Sequence, residues 1–181
     1  LKADFAMEMY NADGSSGEMC GNGIRCLGKY VYERGLTAKK ELDIETKAGL
    51  RHLRLFEDPK EKGQISMVEV DMGSPVLEAD QVPVICDRTL AIDEPIQVNG
   101  VEYRMTGVSM GNPHAVIFTK RVKGLDLEWL GPAFEYHGRF PRRTNVEFAE
   151  IVNPSTLKVR VWERGSGETL ACGTGACAVA V

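Results

Sequence analysis

The sequence predicts an α+β protein built from two related mixed-sheet units. Three observations support this class: alternating runs typical of strands outnumber helical patterns, only two segments have strong helical character, and a Cys-Gly-X-Gly motif occurs twice. The 181 residues, of which 43% are hydrophobic and 27% charged, are enough to bury a substantial core without disulfides or structural metals.

Period-two alternation of apolar and polar residues predicts the strands. The pattern occurs at residues 42–46, 53–55 and 68–71, and it is clearest at residues 157–162. A hairpin is predicted around Asn99-Gly100, because this dipeptide supplies the two positive-φ positions of a type I′ turn.

Two helices are predicted, one near each end of the chain. The first places Ile24, Leu27 and Val31 on one face and stops at Gly35, which is typical of the position after a helix C-terminus. The second begins near Gly173 and consists of Ala, Cys and Val, which are small enough for burial on all sides.

The break at Gly73-Ser74-Pro75 predicts a first unit at residues 1–72 and a second at 73–181. Leu1 is not an initiator methionine, and the last residues stop within a helical pattern with no capping turn. We therefore expect a fragment of a longer protein, inactive or poorly folded when produced alone.

Charge and cysteine content exclude several classes of partner. The net charge of −4 argues against nucleic acid, and no apolar run approaches the roughly 20 residues that cross a bilayer. No signal-peptide pattern opens the sequence, and five cysteines suit free thiols in a reducing compartment. The expected location is the cytoplasm.

The repeated motif is the main functional signal. Cys20-Gly21-Asn22-Gly23 and Cys172-Gly173-Thr174-Gly175 each open a predicted helix, where unsatisfied N–H groups and the helix dipole favour an anion. A thiol there is expected to have a pKa below about 8.5. The glycine N–H groups, with the Asn22 amide or the Thr174 hydroxyl, would hold a carboxylate.

Two such motifs facing one another suit proton transfer at an amino-acid α-carbon. Removing the α-proton places charge on the carboxylate oxygens, which main-chain N–H donors stabilise. One thiolate takes the proton while the opposite thiol delivers another, so neither a metal nor another cofactor is needed.

The remaining cysteines fit a simpler interpretation. Cys26, Cys86 and Cys177 are expected to be small buried apolar residues. Zinc-ligand spacing and a complete nucleotide-binding loop are both missing from the sequence.

Five motifs together resemble those of the diaminopimelate epimerase family, and the resemblance covers essentially the whole chain. They lie at residues 11–14, 18–26, 111–114, 143–148 and 163–175, in the family's order.

The resemblance implies a fold of two pseudo-symmetric, barrel-like halves, each a mixed sheet wrapped round a central helix, with the site in the cleft between them. It implies interconversion of LL- and meso-2,6-diaminopimelate, with Cys20 and Cys172 as acid and base and with His114 and Glu163 tuning their protonation. The substrate-binding positions that it implies are Asn11, Gly21, Asn22, Asn112, Asn145, Glu163, Arg164, Gly173 and Thr174.

Alternatives remain open from the sequence. Proline racemases and phenazine-pathway isomerases share the fold, although proline racemases usually carry His at the position of Asn22 and lack the run at residues 163–168. From other classes, Cys20 with His114 would make a hydrolase, and Cys20 with Cys172 a redox disulfide. The oligomeric state, a homodimer included, is also open.

Overall fold

The computed structural model describes residues 3–11 and 13–181. Leu1, Lys2 and Ala12, the last within the predicted 11–14 motif, lie outside the described residues. The described parts contain twelve strands and three helices, in this order: β1 (Phe5–Ala6), β2 (Met9–Tyr10), β3 (Ser16–Gly17), α1 (Gly21–Glu33), β4 (Glu41–Thr46), β5 (Gly49–Glu57), β6 (Ile65–Val70), β7 (Glu94–Val98), β8 (Val101–Ser109), β9 (Pro113–Phe118), α2 (Leu127–Glu135), β10 (Asn145–Asn153), β11 (Thr156–Glu163), β12 (Gly167–Thr169) and α3 (Gly173–Ala180).

The first sheet is mixed and supports helix α1. Its strand order is β1-β4-β5-β6, with β1 parallel to β4 and the other pairs antiparallel. Buried residues of α1, among them Ile24 and Val31, pack against Leu42, Ile44 and Leu53 of the sheet. The antiparallel pair β2–β3 is separate from this sheet and comes directly before α1 in the chain.

The second sheet is also mixed, and helices cover both of its faces. Its order is β12-β11-β10-β9-β8-β7, with β9 parallel to β10. On one face Phe148 of β10 packs in one hydrophobic cluster with Phe134 of α2. On the other face Ala149 of the same strand clusters with Ala178 of α3. Because successive side chains of β10 point to opposite faces of the sheet, this strand contributes to two hydrophobic cores.

Most local predictions are confirmed. The strands at 42–46, 53–55, 68–71 and 157–162 are present, and the hairpin has Asn99 at φ 51° and Gly100 at φ 77°. Helix α1 is followed by Gly35 at φ 69°.

Two local predictions are wrong. Helix α3 is not buried on all sides, because it lies on the sheet surface with Ala176 and Ala180 exposed. Cys26 is also exposed, since it points away from the face of α1 that carries Ile24 and Val31. Cys86 and Cys177 are partly buried.

The architecture confirms the predicted fold class, a mixed α+β arrangement in which each sheet packs against a helix. Helix α2 is an additional element that packs against the second sheet. No helix in the described part of the chain is long and apolar enough to cross a membrane.

Candidate active site

Each cysteine of the repeated motif caps the helix that follows it. Cys20 precedes α1, and its Sγ accepts the Gly23 N–H at 3.2 Å. Cys172 precedes α3, and its Sγ accepts the Gly175 N–H at 3.3 Å. Both residues have extended backbone angles, as expected of N-cap residues whose side chains satisfy a first-turn donor. The two copies of the motif therefore adopt the same local structure.

The two helix starts meet at their first glycines. A Cβ placed on Gly21 would lie 3.2 Å from Cα of Gly173, and a Cβ on Gly173 would lie 3.3 Å from Cα of Gly21. Beside this contact, the Asn22 amide donates to the Ala171 carbonyl at 2.8 Å. Main chain at the start of α1 thus contacts main chain at the start of α3, directly after the two cysteines.

A cavity of about 210 Å³ opens beside Cys20. It brings together six of the predicted site residues, namely Asn11, Cys20, Asn112, Asn145, Glu163 and Arg164, with Met9, Tyr10, Gly17, Glu18, Met19 and Ser166 completing its lining. Amide, carboxylate and guanidinium groups therefore converge in one space, which suits a small ligand with both carboxylate and ammonium groups.

The other predicted residues lie around this cavity and not in its lining. Cys172 lines a second cavity of about 170 Å³, together with Glu147. Gly21 and Gly173 line a third cavity. Asn22 lines a groove between α1 and β6. His114 and Thr174 are buried.

The strand end at Glu163 brings two adjacent side chains to the same cavity. Neighbouring residues of a strand point to opposite faces, but β11 ends at Glu163 and the chain turns at Gly165, whose φ is 74°. Glu163 accepts the Thr169 hydroxyl at 2.5 Å. The Arg164 N–H donates to the Asn145 side chain at 2.9 Å.

Arg164 already has an internal carboxylate partner. Its guanidinium pairs with Glu18, and it also donates to the Arg142 carbonyl at 3.2 Å. Glu18 was not among the predicted site residues, although its position two residues before Cys20 was the available signal. A ligand carboxylate would have to share or replace this contact.

A buried chain of hydrogen bonds ends at Cys172. Nδ1 of His114 lies 2.7 Å from Oε1 of Glu147, and Nε2 lies 3.0 Å from Oδ1 of Asn112. The Asn112 amide donates to the Thr174 hydroxyl at 3.3 Å, which lies 3.3 Å from Sγ of Cys172. Glu147 lies within the 143–148 motif but has no predicted role of its own, because an acid within a strand gives no sequence signal of this contact.

The expectation of a lowered thiol pKa is wrong for Cys172. Burial raises the pKa of this thiol to about 12, and the carboxylates of Glu163 and Glu147 act in the same direction. The Thr174 hydroxyl and the Gly175 N–H lower it, but burial is the largest single cause and the net change is upward. Helix position alone therefore does not determine the protonation of a thiol that is removed from water.

Two ion pairs connect the loop before α1 to residues next to β10 and β11. One is Arg164 with Glu18, and the other joins Arg143 to Asp13 at 3.1 Å. Hydrogen bonds from Ser15, followed by that from Arg143, lower the pKa of Asp13 to about 2. Within residues 3–11 and 13–181, no group of three or more His, Cys, Asp or Glu is arranged to hold a metal ion.

Comparison with known proteins identifies related sequences. The family model described as diaminopimelate epimerase matches residues 1–78 and 106–181. A diaminopimelate epimerase of Acetivibrio thermocellus is 52% identical over 180 residues, which are 99% of this chain and 63% of that protein. One of Agathobacter rectalis is 54% identical over 184 residues, which cover 98% of this chain and 64% of that protein. The chain thus spans less than two thirds of these relatives.

Solved structures show the same fold at low sequence identity. A hydroxyproline epimerase from Agrobacterium vitis, with bound trans-4-OH-L-proline, has a TM-score of 0.67 and 17% identity, covering 96% of this chain and 54% of that one. A probable proline racemase from Agrobacterium radiobacter has a TM-score of 0.66 and 15% identity, covering 94% and 53%. At these identities the likeness shows the fold alone.

Proposed function

The chain belongs to the diaminopimelate epimerase family, and from this premise we propose that it forms a cofactor-independent epimerase interconverting LL- and meso-2,6-diaminopimelate. The reaction would serve lysine synthesis and the supply of peptidoglycan precursors. The observation that carries the proposal is the meeting of two cysteine-capped helix starts at Gly21 and Gly173.

In the proposed reaction, Cys20 and Cys172 act on opposite faces of the α-carbon. One thiolate removes the α-proton, the electron pair of the broken C–H bond delocalises into the carboxylate, and the other thiol donates its proton to the carbanion. The raised pKa of Cys172 supports assigning it the thiol form at rest. N–H groups of the two helix starts would stabilise the charge that develops on the carboxylate.

The distal end of the substrate would bind in the cavity beside Cys20. Arg164 offers a planar, bidentate donor for the second carboxylate, and Glu163 offers an acceptor for its ammonium group. The side chains of Asn11, Asn112 and Asn145 can donate and accept around them. A hydrolase pairing Cys20 with His114 is less well supported, because both ring nitrogens of His114 are engaged by other side chains.

We also propose the two-unit division at residues 1–72 and 73–181. The positive φ of Gly73, 75°, and the separation of the two sheets on either side of it support this boundary. Five free cysteines support a reducing, cytoplasmic location. The partner is a small amino acid and not a nucleic acid or a membrane, and a homodimer stays a prediction for sedimentation analysis.

Proton exchange in D₂O tests the proposed reaction. The protein from its complete coding sequence is incubated with one pure stereoisomer of diaminopimelate, and both isomers are separated at early times. Two-base transfer predicts deuterium at the α-carbon of the product but not of the recovered substrate. Early deuterium in recovered substrate would indicate a single exchanging base, and no isomerisation at all would refute the proposed activity.

A further inference from the structure

A carboxyl group lies buried beneath helix α3, outside the cavity that holds the other acids of the site. Glu147 is fully buried on β10, and its Oε1 lies 2.7 Å from Nδ1 of His114, which is itself fully buried. Oε2 has no hydrogen-bond partner in the part of the chain that the structure describes. Because burying a carboxyl group is costly, this single contact calls for an explanation.

The first turn of α3 has space for this carboxyl group only because of Gly175. A Cβ at Gly175 would lie 2.5 Å from Oε1 of Glu147. The same Gly175 supplies the N–H that Sγ of Cys172 accepts. The acid and the thiol therefore share one helical turn, although Glu147 lies on a strand and Cys172 precedes a helix.

The hydrogen bonds between these groups have a direction. The Asn112 amide donates to Thr174, so its carbonyl oxygen faces Nε2 of His114 and requires a proton on that nitrogen. Nδ1 then interacts with Oε1 of Glu147 through one shared proton. Since the Thr174 hydroxyl accepts from Asn112, its own proton is free to point at Sγ of Cys172.

We propose that Glu147 is a positioning residue for Cys172: by holding His114 with a proton on Nε2, it orients Asn112 and Thr174 so that the Thr174 hydroxyl donates to Sγ. The inference deepens the proposed function, on which its catalytic meaning rests. The part of the inference that does not depend on catalysis concerns the direction of the hydrogen bonds from His114 to Cys172 and the protonation of the Cys172 thiol.

The groups around Cys172 explain why such a donor matters. The thiol is buried, and carboxylates face it from β11, as Glu163, and from β10, as Glu147, so its surroundings oppose the thiolate. The hydroxyl of Thr174 and the N–H of Gly175 oppose that trend. A two-base enzyme must deprotonate each thiol in one direction of its reaction, so a donor fixed on Sγ keeps the reverse direction accessible.

Histidine NMR on the unmodified protein tests the direction of the chain. The protein from its complete coding sequence is used, and the ¹⁵N resonances of His114 are identified as those that vanish in a His114→Gln variant. A proton on Nε2 of His114 at neutral pH is expected. An unprotonated Nε2 would overturn the proposal, whatever the protein catalyses.

Alkylation of Cys172 by iodoacetamide tests the effect on the thiol without requiring turnover. Peptide mass spectrometry follows the rate at Cys172 across pH. Glu147→Leu is expected to slow it about tenfold or more at pH 8, because a hydrogen bond to a charged group is lost. Glu147→Gln is expected to react at least as fast as the parent, since its amide can donate to Nδ1 and the charge that raises the pKa of Cys172 is removed. Val116→Ala, which loosens the same α3-facing core, controls for altered packing.

A double-mutant cycle separates positioning from general loosening. If Glu147 acts through Thr174, Glu147→Leu should add no further slowing in a Thr174→Val background. Additive slowing, or a Glu147→Gln variant as slow as Glu147→Leu, would overturn the proposal. Should circular dichroism show that Glu147→Leu is unfolded, the NMR result and the comparison of Glu147→Gln with Thr174→Val still decide the question.

Discussion

At the residue scale, each cysteine sulfur caps a helix and is the atom that would exchange a proton in the proposed reaction. Sγ of Cys20 and Sγ of Cys172 each accept a first-turn N–H, so the thiol position is fixed by the helix that follows it. Deprotonation would strengthen this contact, because N–H donors bind a thiolate more strongly than a thiol. Local structure and acid–base chemistry are therefore coupled through the same atom.

Replacing either cysteine by alanine is expected to lower epimerase turnover by at least about 10²-fold, since one general acid or base is lost. The same change should destabilise the fold by about 1 kcal/mol through loss of the cap. Cysteine-to-serine variants separate the two effects, because a hydroxyl keeps an acceptor for the capping N–H. Turnover and thermal unfolding measure them.

Cys26→Ala is the matched control, since this residue lies on the exposed side of α1. It should leave both turnover and stability near the parent values. An alanine at Cys20 or Cys172 that kept turnover within a few-fold of the parent would contradict the two-thiol mechanism.

Features that depend on a local sequence pattern could be predicted from the sequence. The two Cys-Gly-X-Gly copies located both helix caps. Glu18 lies within the first Cys-containing motif, but its contact with Arg164 joins distant parts of the chain and has no local signal. Glu147 could not be found from local pattern at all, because its significance lies in a contact with His114 on a neighbouring strand. The pKa of Cys172 was misjudged because burial, which depends on tertiary packing, exceeds the local effect of the helix start.

At the scale of elements, the contact between the starts of α1 and α3 depends on two residues that lack a Cβ. Gly21→Ala or Gly173→Ala would place a methyl group 3.2 or 3.3 Å from the opposing backbone. The backbone cannot rotate aside as a side chain would, so the helix starts must separate by a few tenths of an ångström. Turnover is expected to fall about tenfold, since catalysis is sensitive to such displacements.

Gly138→Ala is the control for this prediction, because a Cβ there meets nothing within 4 Å. Steady-state kinetics and melting temperature should show a loss of turnover that exceeds the loss of stability in the Gly21 and Gly173 variants. Unchanged kinetics in both would show that the helix starts need not be in contact.

Sequence patterns identified elements with a regular alternation or helical periodicity and missed elements in which that pattern is absent or interrupted. The strand β9 was not predicted, because Pro113–Ile117 is buried on both faces and lacks alternation. Helix α2 was missed because Gly131 and Pro132 lie within it and are typical of breaks. Helix α3 was predicted, but its exposed side was not, since small residues are compatible with either environment.

At the scale of the whole molecule, ion pairs connect the loop before α1 to residues next to β10 and β11. The Asp13 carboxylate accepts hydrogen bonds from Ser15 and pairs with Arg143, which lower its pKa to about 2. A carboxyl group with a lowered folded-state pKa stabilises the fold above its unfolded value, here 3.8. That contribution is lost as the pH falls from about 4 towards 2.

Asp13→Asn is therefore expected to reduce the difference in the free energy of unfolding between pH 6 and pH 2. Ser15→Ala should give an intermediate reduction, because it removes the largest single cause of the lowered pKa but leaves Arg143 in place. Urea unfolding at several pH values measures this. Parallel pH profiles for Asp13→Asn and the parent would show that the Asp13 contacts add no acid-dependent stability.

The joint between Gly21 and Gly173 also constrains how such a protein can diversify. Two main chains in direct contact contain no side chain through which their spacing could be adjusted, and any side chain at either position would bring a Cβ within 3.3 Å of the opposing backbone. New specificities would have to arise in the surrounding loops while the joint itself stays unaltered. The proton-transfer step would then be retained while the substrate specificity changes.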